Sequence, residues 1–198
     1  RNPCQRIWNK FVTPLRMSGV EPTSGLPRSL LDIMATIDAT DMEYELLVWS
    51  PEKADHLLQY HFWEAYRLAL LLFNHLRHHG DGKTRPNNGL IESLVMRILS
   101  CIHELRSDND DPFPIALNKC VLLPLFYAAL ATDKQSTIRD LVSAEFEVFI
   151  RNRQEMSDQT AWAIIMEVWN QQAAEPNCRP LVMANQFATE LEVELHLY

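Results

Sequence analysis

Residues Val121–Gln172 read VLLPLFYAALATDKQSTIRDLVSAEFEVFIRNRQEMSDQTAWAIIMEVWNQQ. This stretch predicts three consecutive helices separated by two tight breaks. The first is apolar on almost every face, which suits only a buried helix. The second sets Ile138, Leu141, Val142, Phe146, Phe149 and Ile150 at helical spacing. The third places Trp162, Ile165, Met166 and Trp169 on one stripe. No acid–base pair, nucleophile or phosphate loop interrupts them. Such a stretch implies a binding or regulatory body rather than an enzyme.

Further helices are predicted on both sides. A short one covers Arg6 to Val12, and Met17 to Pro27, with two Gly and two Pro, reads as a loop. Pro27 suits the first turn of a helix that turns Leu30, Leu31, Met34 and Ile37 inward. Glu43 to Val48 is a short helical piece. Ser50-Pro51-Glu52-Lys53 combines a cap, a first-turn proline and an acid, and predicts the start of a long helix ending at His79. Phe62 to Phe73 is apolar nearly all round, so this is the central helix, with Glu64 and Arg67 spaced to pair on one side. Asp81 to Gly89 is a polar loop. Leu90 to Leu105 is amphipathic, with Leu94, Ile98, Cys101, Ile102 and Leu105 inward. After an acidic turn at Ser107 to Asp111, a buried helix runs from Pro112 to Ala131, and Pro124 predicts a kink or break in it. Helices over Lys134 to Arg153 and Asp158 to Gln172 follow, then a linker at Ala173 to Pro180. In the tail, Leu191, Val193, Leu195 and Leu197 alternate as in a strand, whereas the preceding NQFATEL favours helix, and both readings stand. The expected fold is all-α: a bundle of antiparallel helix hairpins around a long buried central helix.

The 198 residues suffice for one domain. A hydrophobic fraction of 47% with 22% charged residues is that of an ordinary globular protein, and only five glycines disfavour a turn-rich β fold. The net charge of −8 and the absence of a basic stripe argue against direct contact with nucleic acid. The longest apolar run, Leu68 to Phe73, is far short of the roughly 20 residues of a membrane span. Cys4, Cys101, Cys120 and Cys178 form no close pair, so no zinc knuckle is expected, and they suit a reducing compartment as small hydrophobes.

Candidate reactive groups have simpler readings. His75, His78 and His79 fall in a last helical turn, where they complement the helix dipole, and lack supporting ligands at metal spacing. Asp108, Asp110 and Asp111 lack the central Gly and closing Glu of a calcium loop. Cys101 and Cys120 lie in apolar helices without a histidine partner and read as inert. No catalytic residue, metal site or cofactor is expected. What remains is aromatic: Phe73, Leu122, Phe126, Phe149, Trp162, Met166 and Trp169 read either as plain core or as the wall of an apolar cavity. Small neighbours at Ala128, Ala129, Ala161 and Ala163 leave room beside them, and Met166 makes the wall adaptable.

Four pieces carry a family resemblance. They are GLPRSLLDI at Gly25 to Ile33, FWEAYRLALLLF at Phe62 to Phe73, LPLFYAAL at Leu123 to Leu130, and Arg139 followed by MEVW at Met166 to Trp169. In order and spacing they resemble the C-terminal regulatory domain of the fungal zinc binuclear cluster transcription factors. The resemblance implies a single regulatory domain over residues 1–198, a fragment lacking N-terminal helices and the zinc-cluster module that contacts DNA. It further implies control of RNA polymerase II transcription in the nucleus, with shuttling through the cytoplasm left open. Expected partners are a hydrophobic small-molecule effector, coactivator or repressor proteins, and a second copy of the domain. The alternative is a protein-interaction or dimerisation scaffold without ligand, anchored by exposed Trp8, Trp49 and the apolar tail.

Overall fold

A computed structural model describes residues 19–21, 24–35, 42–51, 54, 56–78, 88–107, 120–132, 136–153, 155–174 and 179–191. The predicted helix at Arg6 to Val12, the acidic turn at 108–111, the segment from Pro112 to residue 119, His79, Cys4, Cys178 and the alternation at 193–197 lie outside the described residues. The helices, in chain order, are α1 (Arg28–Ala35), α2 (Met42–Val48), α3 (Leu57–His78), α4 (Asn88–Ser107), α5 (Leu122–Ala131), α6 (Ile138–Arg153), α7 (Met156–Ala174) and α8 (Pro180–Glu190). Among the described residues the regular structure is all-α, apart from one isolated bridge between Val20 and Pro27.

The continuous apolar run of α3 has the consequence its composition dictates. Phe62, Ala65, Leu68, Ala69 and Leu72 are fully buried, because α4 and α5 pack along the helix while α2 and α8 touch it as well. α4 turns Val95, Ile98, Ile102 and Leu105 inward at spacings of three and four. Leu94, expected inward, is only partly buried. α5 is buried on nearly every side and touches α3, α4, α6 and α7. It is the second axis of the body, which neither its length nor its position in the sequence announces.

Four predicted boundaries need correction, each for a physical reason. The break expected at Pro124 falls just before it, at the non-helical turn of Cys120 and Val121, and the described helix carries no proline at its mid-point that would kink it. α5 begins at Leu122, so Pro124 occupies its first turn, where the missing N–H has no intrahelical partner to lose. The first helical bond is donated by Leu125 N–H to Val121 O at 3.1 Å. Pro124→Ala is therefore expected to change stability by under about 1 kcal/mol, the unfolded-chain effect alone. A loss near the 3 kcal/mol of a mid-helix proline site, in either direction, would contradict this placement.

The start predicted at Ser50-Pro51 is overridden as well: Pro51 and Ala54 are not helical, and α3 starts at Leu57. Trp49 and Ala54 pack against the core instead, so burial of this connection outweighs a good local cap. At α6 the start moves from Lys134 to Ile138. Ser136 Oγ accepts the Ile138 N–H at 3.3 Å, and Ser136 O accepts that of Arg139, so the serine caps the helix. The linker shortens too: α7 runs to Ala174, and Pro180 opens α8, where a first-turn proline is tolerated. The helical reading of NQFATEL holds through Glu190.

The loop before α1 is ordered by its own groups. Glu21 Oε2 accepts the Ser24 N–H at 2.7 Å and the Ser24 hydroxyl at 2.8 Å. Gly25 turns the chain at φ +70°, a conformation glycine adopts without steric penalty. Arg28 N–H then donates to Gly19 O at 2.9 Å and closes the loop.

Candidate functional site

Two tryptophans tie the body together through their indole N–H groups. A buried indole must place its single donor. Trp63, 1% exposed on α3, donates to Gly25 O at 2.8 Å and so fixes the loop before α1 to the central helix. Trp169 on α7 donates to Ala129 O at 3.1 Å. Ala129 lies in the last turn of α5, whose final carbonyls have no intrahelical partner. Thr132 supplies the other donors there: its N–H reaches Ala129 O and its hydroxyl reaches Ala128 O at 2.7 Å. The indole thus completes the C-terminal cap of a different helix.

Aromatic and cationic groups extend from this point. The Arg139 guanidinium of α6 sits 4.0 Å above the Trp169 ring, a cation–π contact. Trp162 meets Trp169 edge-on with centroids 5.5 Å apart, and stacks on Phe146 of α6 at 4.8 Å. The chain Phe146–Trp162–Trp169–Arg139 joins α6 and α7 and abuts the end of α5. Trp162 is half-buried, so one side of this chain is reachable from solvent.

The proposed wall residues distribute unevenly. Trp162 and Trp169 meet directly, while Leu122, Phe126 and Phe149 are buried. Phe73 is partly buried against Tyr127, with centroids 5.2 Å apart, and Phe149 carries the Arg153 guanidinium over its ring. Met166 is 42% exposed and does not belong to the inward stripe, and Leu141 and Ala163 also face solvent. α7 carries apolar residues over more than one face, and its contacts with α5, α6 and α8 select Ala161, Ile164, Ile165, Val168 and Trp169. Trp49 is not an exposed anchor, since its indole donates to Ser29 Oγ at 3.1 Å. Phe146 and Tyr127, absent from the predicted wall, touch its members. Phe146 was visible as part of the α6 stripe, whereas no local signal marks Tyr127.

Charged groups brace the helices. Glu64 and Arg67 form the expected pair, doubly bonded at 2.7 Å, and Arg97 of α4 joins Glu64 at 2.7 Å. Arg67 Nη1 also donates to Leu46 O at 3.0 Å, capping the C-terminal end of α2. Burial pulls the Glu64 carboxyl upward, but the Arg67 hydrogen bond and the charges of Arg67, Arg97 and His61 outweigh it and hold it below its usual value. Arg106 pairs with Glu145 and links α4 to α6. Cys101, buried beside Glu64, has its thiol pushed up to about 11, which keeps it protonated and unreactive at neutral pH.

At the start of α7, Asp158 is fully buried, 3.4 Å from Arg153 Nε and from the donating Ser157 hydroxyl. Burial raises its carboxyl above the ordinary value, against the pull of Arg153. A carboxyl raised in the folded state binds its proton more readily there than in the unfolded chain. Its contribution therefore improves as pH falls through the raised value toward the unfolded value of about 3.9. Urea unfolding should show wild type gaining on Asp158→Asn between pH 7 and about pH 4. Wild type losing ground to the variant over that range would contradict the burial argument.

Among the described residues no three His, Cys, Asp or Glu side chains gather as a metal-binding group, and no helix is long and apolar enough to cross a membrane. The model of the fungal specific transcription factor domain matches residues 31–180, about three quarters of the chain. The chain belongs to the fungal-specific transcription factor domain family, which places it among transcription regulators acting in the nucleus. No curated protein and no solved structure matches it. All four resembling pieces take part in the two indole junctions: GLPRSLLDI meets FWEAYRLALLLF at Gly25–Trp63, while LPLFYAAL, Arg139 and MEVW converge on Trp169.

Proposed function

We propose that this domain is the non-catalytic regulatory part of a transcription factor controlling RNA polymerase II transcription. In this reading it responds to a hydrophobic small molecule taken up beside the Trp162–Trp169 pair. The supporting observation is the chain Phe146–Trp162–Trp169–Arg139, buried except at half-buried Trp162 and Arg139, where α6 and α7 meet the end of α5. Contact with DNA falls to a zinc-bearing module outside residues 1–198, and coactivator or repressor proteins read the state of the helices.

The mechanism is a shift between two packings of α5, α6 and α7, one of which the effector binds better. Moving such an equilibrium from mostly off to mostly on takes roughly 5.5 kcal/mol of differential affinity. Burying on the order of 300 Å² of apolar ligand surface supplies about 7.5 kcal/mol before the costs of association, so a lipid-sized molecule suffices.

Denaturing extraction of the purified protein followed by mass spectrometry is expected to release an apolar compound, and adding that compound back should raise the melting temperature and change tryptophan emission. Empty protein that no panel of fatty acids or sterols stabilises would remove the sensing role. The scaffold reading would then take its place, favoured by the exposure of Leu141, Met156 and Met166 on α6 and α7. It predicts association of the domain with itself or a partner through those side chains, which a strictly monomeric mass at high concentration would weaken.

A further inference from the structure

The solvent side of α6 carries an apolar seam. Val142, Phe146 and Phe149 turn inward and are buried. On the other side Leu141, Ala144 and Val148 follow at spacings of three and four, the repeat of a helix that packs against another helix. Leu141 is 48% exposed, Ala144 is exposed and Val148 is half-buried. Ala144 stands at the middle of the seam, where a small side chain lets a facing helix come close. The outward side of a surface helix is ordinarily polar, so the seam calls for a partner.

The charges beside the seam say which partner fits. At about 100° per residue, Asp140 and Arg151 fall within about 20° of each other around the axis of α6. They therefore share one flank of the seam, and both are exposed. The other flank carries Asn152 and Glu145, and Glu145 is already paired with Arg106 of α4. When two copies of one helix pack antiparallel about a twofold axis, each flank meets its own equivalent in reverse order. Asp140 of either copy then faces Arg151 of the other, which makes two equivalent ion pairs. Leu141 of either copy meets Val148 of the other, with Ala144 against Ala144 between them. The charged rungs are offset from the apolar ones by two residues, about 3 Å, which an arginine side chain spans. A parallel pairing would instead turn Asp140 and Glu147 toward Glu145 of the other copy. The solvent face of α6 is thus self-complementary in one orientation.

We propose that two copies of this domain associate through an antiparallel contact between their α6 helices. Leu141, Ala144 and Val148 form its apolar centre, and Asp140 and Arg151 fix its direction. Each chain carries −8, but at physiological ionic strength charges more than about 8 Å apart are largely screened, so the facing pairs decide. α6 has 16 residues, about 24 Å, so the contact falls at the small end of specific interfaces and is expected to be weak and reversible, in the micromolar range. Phe146, stacked on Trp162, lies on the opposite side of α6, so the contact does not depend on the effector reading.

Sedimentation equilibrium of the full chain in physiological salt is expected to show a reversible monomer–dimer equilibrium. Leu141→Lys should weaken it at least tenfold. Asp140→Arg alone and Arg151→Asp alone should each weaken it roughly tenfold, since both ion pairs become like-charge contacts. Two results are specific to the antiparallel geometry. The double variant Asp140→Arg with Arg151→Asp should regain wild-type association. An equimolar mixture of the two single variants should form heterodimers, because every facing pair is again opposite in sign. All the substituted side chains are exposed, and melting curves identify any variant that fails to fold. In that case the mass of the wild type and of the remaining variants still decides. A wild-type chain that stays monomeric up to millimolar concentration overturns the proposal. So does a dimer indifferent to the charge changes, or a mixture of the single variants that stays monomeric.

Discussion

Trp169→Ala is expected to lower the unfolding free energy of the domain by about 3–5 kcal/mol, the range for removing a large buried aromatic. The side chain is 3% exposed, so its loss leaves a cavity between α7 and the end of α5. Three further effects push toward the upper part of that range. Ala129 O loses its indole donor, Arg139 loses the ring beneath it, and Trp162 loses its edge-on neighbour. Trp169→Phe separates these effects. It keeps an aromatic surface but no donor, and since Ala129 O still accepts the Thr132 N–H it should cost about 0.5–1.5 kcal/mol more than the change in size alone. Chemical denaturation followed by circular dichroism measures both. A loss under about 1.5 kcal/mol for the alanine variant would mean that Trp169 is peripheral.

Glu64→Ala carries the second large effect, about 3 kcal/mol. Its side chain and that of Arg67 are 14% and 13% exposed, and removing the carboxylate leaves a largely buried guanidinium without its bidentate partner. Arg97 loses a partner too, but it is 57% exposed and water compensates it. The pH dependence follows from the direction of the shift. The carboxyl is held below its unfolded value, so its stabilisation is complete above about pH 4.3 and is lost as pH falls through the lower, folded value. Wild type and Glu64→Ala should therefore converge in stability in acid. Divergence toward low pH would show that the network does not depend on the ionised carboxylate. Asp158 works in the opposite sense over the same range, so the convergence is best measured on an Asp158→Asn background.

Fold class and most helices were legible in the sequence because they depend on side chains repeating with the helical period. The pairing of Glu64 with Arg67 was legible for the same reason, as was the inward face of α4. What local pattern leaves open is rotation and start. On α7 several apolar faces compete, and the choice that exposes Met166 and buries Val168 is made by the neighbouring helices. At Pro51 and Pro124 the same residue type misplaced a helix start in different ways. Pro51 looked like a start where core contacts of Trp49 and Ala54 draw the connection out, and Pro124 looked like a break where it opens α5. Of the site, Trp162 and Trp169 were legible as a pair on one stripe. The Ala129 carbonyl that receives the indole was not, because a backbone acceptor leaves no mark in a sequence.

The bond from the Tyr66 hydroxyl to Cys120 O, 2.6 Å long, spans 54 positions in the chain. During translation, Phe62, Trp63 and Tyr66 emerge well before the residues of α5 that cover them. At about 5–20 residues per second the wait is roughly 3–10 s. For that interval the nascent central helix presents bare aromatic surface, so its most vulnerable moment comes on the ribosome, and a chaperone that shields such surface would do most good between the synthesis of α3 and that of α5.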